Sequence, residues 1–356
     1  MVSTIWKCLS SQHRRKQQEQ EELIYRPFVA TLVLFGGILA IVAGIAVSIG
    51  TGPAGISLWM IWDSILHFDS ISEEHQIIQN LRLPRALAGA LIGASFAVAG
   101  AMMQGMTRNA LADTGLLGIN AGSGLVVAIV IAFFPKLPFE YLIYFSFLGA
   151  GLGVLLIYAI AFFARGALTP LRLVLAGAVV GALIKGATQI ISLLSGTTYE
   201  LAFWSAGGIS AVEWFQVKII SPWILVGLFI AILLSPKLTI LSLGEEVATG
   251  LGQRTRLIKA VSGIAVLLLV GAAVAAVGGV GFVGLIIPHI VRFLVGVDYR
   301  LIIPCSAMLG AVLVVFADIG AKLINMPYET PLGSIMAVIG VPFFLYLARK
   351  ENRQLL

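Results

Sequence analysis

From about residue 28 to the carboxyl end, apolar runs of some twenty residues alternate with short polar or charged breaks. A hydrocarbon core about 30 Å thick takes roughly 20 consecutive apolar residues per helix, so each run reads as a membrane span. Length and flanking charge or proline predict helices at 28–49, 84–104, 116–134, 140–163, 172–194, 215–235, 257–277, 280–296, 301–321 and 329–348. The expected fold is all-α, a polytopic membrane protein of about ten transmembrane helices. Residues 1–27 stand apart as a polar tail, and residues 28–356 form one membrane domain.

The breaks between spans carry pattern of their own. Ser57 to Phe68 is amphipathic with Trp59 and Trp62, and Thr197 to Trp214 carries Trp204 and Trp214, so both are expected at the interface where indole rings settle. Gly89 with Gly93, and Gly177 with Gly181, fall on one helix face each by their four-residue spacing and are expected to admit close backbone packing.

Composition removes the soluble alternative, because 59% of residues are hydrophobic and only 11% charged, against about 25% charged in soluble domains. The net charge of +6 reflects topology and not nucleic acid. With the amino terminus inside, 17 Lys and Arg fall on inner segments and five (Arg82, Arg85, Lys136, Lys218, Lys322) on outer ones, which predicts both termini in the cytoplasm. The first apolar run exceeds the 7 to 15 residues of a signal-peptide core, so it is expected to be a retained helix. Cys8 and Cys305 both fall toward the reducing side, and no structural disulfide is expected.

Chemistry-bearing motifs are sparse. Gly279, Gly281 and Gly284 have dinucleotide-loop spacing but neither a preceding strand nor a following acid, and no Gly-Lys dipeptide exists to make a P-loop. His13, His67, His75 and His289 lack metal-ligand spacing, so no metal or cofactor is expected on this chain. Lys185 sits about 20 Å along its helix from Arg172, too deep to snorkel, and should face a bundle interior or a wet cavity. A buried pair and a place on a solute path are both open to it. Leu241 to Arg256 is the longest inner loop; Glu245 and Glu246 start a short helix there, and Gly250 and Gly252 can close it.

Several segments together resemble the FecCD family, permease subunits of binding-protein-dependent ABC importers for iron-siderophores, haem and cobalamin. They are Leu81-Arg82-Leu83-Pro84-Arg85, Gln104 through Arg108-Asn109-Ala110-Leu111-Ala112 to Leu117-Gly118, Leu175-Ala176-Gly177, and Leu243-Gly244-Glu245-Glu246 with Leu251-Gly252. Gly281 through Pro288-His289-Ile290 with Arg292, Ala317-Asp318, Glu329 with Pro331 and Gly333, and Gly340 with Pro342 complete the set. Ala110 and Thr114 stand where prolines are common, and Tyr299 where histidine is usual.

The resemblance implies a type II ABC importer permease fold, paired as a homo- or heterodimer and served by two ATP-binding cassette subunits that hold ATP and Mg. It implies a cytoplasmic coupling loop at 236–256, with Leu243, Gly244, Glu245, Glu246, Ala248, Gly250, Leu251 and Gly252 inserted into the ATPase subunit. It implies that Arg82, Arg85 and Lys322 receive exposed acidic residues of an extracytoplasmic solute-binding protein. Thr169, Pro170 and Leu171 would form a cytoplasmic gate, with the fifth and tenth helices, and Lys185 as a candidate, along the translocation path. The implied location is the bacterial cytoplasmic membrane and the foremost cargo an iron(III)-siderophore, with haem and cobalamin as alternatives. An ion-coupled secondary transporter would bury carboxylates, for which Asp318 is the clear candidate, and a membrane enzyme would need a nucleophile, base and orienter that are not recognisable here.

Overall fold

The computed structural model describes residues 26–52, 56–113, 118–163, 170–210, 212–324, 328 and 330–352. Among these, every regular element is helical. The elements are α1 (Pro27–Gly50), α2 (Leu58–Leu66), α3 (Glu73–Gln76), a π-helical segment (Ile77–Arg82), α4 (Leu83–Thr107), α5 (Ile119–Phe133), α6 (Phe139–Phe163) and α7 (Pro170–Ser195). Then come α8 (Thr198–Ser205), α9 (Trp214–Ser242), α10 (Glu245–Gly250), α11 (Thr255–Val277), α12 (Val283–Val295), α13 (Tyr299–Ile324) and α14 (Leu332–Asn352).

Each of the ten predicted segments holds a helix, as α1, α4, α5, α6, α7, α9, α11, α12, α13 and α14. Six described helices are long and apolar enough to cross a membrane, and α5, α6, α12 and α14 contribute shorter apolar stretches. The predicted short helix after Gly244 is α10, and the amphipathic stretch at residue 57 is α2, whose first turn is capped by the Ser57 hydroxyl accepting from Met60 N–H. Trp59 and Trp62 on α2 are strongly exposed.

Helix α4 is the axis of the fold, packed against α13, α9, α12, α11 and α1. Glycine makes those contacts close. A Cβ on Gly93 would collide with the Gly310 carbonyl of α13, and one on Gly100 with Gly284 of α12. A second pair, α5 and α6, meets the same way at Gly122, Gly149 and Gly153. Without a hydrophobic drive between helices in lipid, this backbone contact is what holds spans together. Of the glycines singled out from spacing, Gly93 packs as expected, Gly89 has only ordinary contacts, and a Cβ at Gly181 would meet nothing.

Among the boundaries that differ from the sequence expectation, those at the starts of α4 and α12 have physical reasons. The helical run into α4 begins at Glu73 rather than Pro84, because the π segment carries the chain through, with Leu83 N–H bonding back to Ile78 O. Pro84 then falls at the head of an α-helix, where its missing N–H costs little. Helix α12 is only 13 residues. The apolar residues 278–282 before it are non-helical, with Gly278 at φ 74° and Phe282 at φ 68°. Gly278 and Val280 are buried, and irregular backbone at membrane depth is tolerated where protein covers it.

Candidate coupling and translocation sites

At one end, α9 runs past Pro236 to Ser242, beyond its predicted end, and the chain turns through Gly244 at φ 140° into α10. Helix α10 closes as a Schellman turn: Gly252 N–H donates to Thr249 O and Gln253 N–H to Ala248 O, with Gly252 at φ 79°. So Gly252 is the closing glycine, and Gly250 is the last residue of the helix. The short helix has two faces. Gly244 and Ala248 are buried, whereas Leu243, Glu246, Val247, Gly250 and Leu251 are exposed, Leu243 and Leu251 to about 65%. Glu245 turns toward α11, where Lys259 Nζ lies 2.6 Å from its carboxylate. That hydrogen bond, with help from Thr255 and the charge of Arg108, holds the Glu245 carboxyl below the usual range.

The base of this loop is tied down by contacts that no local spacing announces. Thr239 Oγ1 donates to Asp298 Oδ1 (2.9 Å) and accepts from Tyr299 N–H (2.9 Å), joining the end of α9 to the start of α13. Tyr299 is buried, with its ring against Gly105 so closely that a Cβ there would come within 2.8 Å of it. Tyrosine in the place of the family's histidine is thus accommodated by a glycine on α4.

The opposite ends of α1, α4 and α13 carry the other polar cluster. Arg85 donates from Nε (3.0 Å) and Nη2 (2.8 Å) to Asp318 Oδ1, and Lys322 Nζ lies 3.0 Å from Asp318 Oδ2. Lys322 also donates to Ser48 Oγ (2.8 Å) and Ser48 O (3.2 Å), and Arg82 donates to the carbonyl of Ile49. The expectation that these three cations stand exposed is corrected here. Arg85 is 7% and Asp318 2% exposed, Lys322 is nearly enclosed, and Arg82 is half-buried. The physical reason is that Asp318 and the carbonyl end of α1 supply counter-charge inside the chain. Asp318, the clear candidate for an ion-coupling carboxylate, is ion-paired with Arg85 and Lys322.

Helix α7 presents a third feature. Ala178, Ala182, Lys185 and Gln189 recur at helical spacing and are all exposed, forming a stripe of small and polar side chains beside the apolar Val179, Leu183 and Ile190. Lys185 is therefore not paired inside the chain's own core. Pro170 opens α7; Thr169 and the side chains of Pro170 and Leu171 lie outside the described residues. Among the described residues no group of three His, Cys, Asp or Glu could hold a metal, and His289 packs edge-on against Phe343 at 5.9 Å.

The sequence of this helical bundle matches the FecCD transport family model over residues 38–350. The chain belongs to the FecCD transport family. It is thus a permease subunit, a transport component and not an enzyme. The chain is 48% identical to the iron(3+)-hydroxamate import system permease protein FhuB of Bacillus subtilis (strain 168), over 97% of this chain and 90% of that protein. It is 39% identical to the Fe(3+)-citrate import system permease protein YfmD of the same organism, over 95% of this chain and 98% of that one. The ferric enterobactin transport system permease protein FepD of Escherichia coli (strain K12) is 37% identical, over 79% and 84%. A solved inward-facing structure assigned to the metal-chelate type of ABC transporter superimposes with a TM-score of 0.78 at 28% identity, covering 90% of this chain and 99% of that one. As a FecCD permease the chain is a multi-pass membrane protein that works with ATPase and binding-protein partners.

Proposed function

We propose that this FecCD permease carries an iron(III) chelate inward, foremost a hydroxamate siderophore, delivered by an extracytoplasmic binding protein and driven by ATP held with Mg on two separate cassette subunits. The observation that carries the cargo is the 48% identity, spread over 97% of the chain, to a permease named for iron(3+)-hydroxamate import. Citrate and enterobactin permeases at 39% and 37% make other iron(III) chelates the second reading.

The translocation path runs between two permease copies or paralogues, along α7 and α14. The exposed stripe through Lys185 supports this, because an ammonium at membrane depth needs water or a polar partner. A cation there suits an anionic or carbonyl-rich chelate. Thr169, Pro170 and Leu171 form the cytoplasmic gate, and Leu171→Ala is expected to leak solute without ATP; unaltered basal flux would count against it.

The exposed face of α10 seats in the ATPase subunit through Leu243, Glu246, Val247, Gly250 and Leu251, with both chain termini on that same cytoplasmic side. On the outer side, Arg82, Arg85 and Lys322 guide binding-protein docking as a charged patch. For Arg85 and Lys322 this takes an exchange of Asp318 for a partner carboxylate, since both are already paired.

Ligand-stimulated ATP hydrolysis by the reconstituted complex tests the cargo. Ferric trihydroxamate should stimulate it together with radioiron uptake. Stimulation by haem or cobalamin alone would overturn the iron-chelate reading.

A further inference from the structure

We propose that Glu245 is a positioning residue that clamps the coupling helix α10 to α11 through Lys259, with Arg108 at the end of α4 packed beside Gly244, while its neighbour Glu246 faces the motor. The inference rests on the reading of α10 as the coupling helix and divides the two adjacent carboxylates between separate tasks.

Helix α10 has six residues, too few for its own hydrogen bonds to fix its tilt. Its orientation is set by what ties it to the bundle. Ala248 packs inward, and the Glu245 carboxylate meets Lys259 Nζ at 2.6 Å. Lys259 stands on the first turns of α11. Arg108 ends α4 in the left-handed conformation (φ 51°), with its guanidinium 3.7 Å from where a Cβ on Gly244 would lie. Glu245 therefore ties α10 to α11 through Lys259, while Arg108 of α4 stands beside Gly244 at the head of the same helix.

The pair is part-exposed in the isolated chain, 37% for Lys259 and 46% for Glu245, where an ion pair contributes little. An ATPase subunit seated on the adjoining exposed face removes water from it, and the same charges at the same distance then attract more strongly. Seating the motor tightens the clamp, and displacement of α10 is passed to α11 and α4 instead of being absorbed by a loose loop.

The test uses the whole complex in proteoliposomes, comparing Lys259→Gln with Lys259→Arg. Lys259→Gln is expected to retain the ATPase subunits and basal hydrolysis yet lower radioiron-trihydroxamate uptake per ATP by roughly fivefold, the upper range for an exposed pair. Lys259→Arg restores the ratio. An unchanged ratio in Lys259→Gln, or loss of the ATPase subunits from it, overturns the clamp. A separate arm examines the coupling-helix reading itself: Leu243→Asp with Leu251→Asp should release the ATPase subunits, and full retention there overturns that reading whatever the Lys259 result.

Discussion

Arg85 and Asp318 lie 233 positions apart in the chain and meet side chain to side chain at 2.8 Å, joining the amino-terminal end of α4 to the carboxyl-terminal end of α13. The pair is nearly dry and is extended by Lys322 to the last turn of α1. Three helices that approach through glycine and alanine along their lengths are thus fastened at one end by charge.

Breaking that fastening from one side leaves an uncompensated buried charge, which costs about 3–5 kcal/mol. Asp318→Asn is expected to lower the thermal midpoint of the nanodisc-embedded protein markedly. Asp318→Leu combined with Arg85→Met should recover much of the loss. A double variant as unstable as the single would argue against the charge as cause.

The glycine contacts predict a sharp contrast in tolerance. Gly93→Val drives a side chain into the Gly310 carbonyl and should prevent folding or cost several kcal/mol, as overpacking does. Gly181→Ala meets open space and should leave the midpoint in place. Thermal scans of the two variants side by side check this.

Lys185→Met keeps the length of the side chain and removes its charge. Transport of an anionic or carbonyl-rich chelate should fall while binding-protein docking and ATP hydrolysis persist. Unaltered uptake rate and cargo range would remove Lys185 from the path.

The Glu245–Lys259 pair also sets a pH dependence. The folded-state carboxyl titrates below its unfolded value, so the pair's contribution is complete above the ordinary glutamate range, about pH 4.3. It fades as pH falls through the lowered folded value. Uptake per ATP, assayed at matched hydrolysis rates, should show no loss attributable to this pair between neutrality and about pH 5. A step tied to Lys259 near pH 6 would contradict that assignment.

The spans were legible because membrane depth imposes length and apolarity on every helix, and α10 because two acids and two glycines mark its ends. Residues 280–282 misled because Val280-Gly281-Phe282 is as apolar as a helix, yet the chain there stays irregular beside the buried Val280. Arg85 reads as an outer-surface cation by its place before an apolar run. Its burial depends on Asp318, and no local spacing connects the two. Lys259 and Thr239 were missed for the same reason, each gaining its role from a partner 14 and 59 residues away.

Sidedness of the coupling helix bears most directly on the whole account. With Cys8→Ser and Cys305→Ala in the background, Glu246→Cys should react with a membrane-impermeant maleimide only from the cytoplasmic face, and the ATPase subunits should protect it. Labelling of that position in intact cells would place α10 beyond the reach of the motor and contradict the assignment.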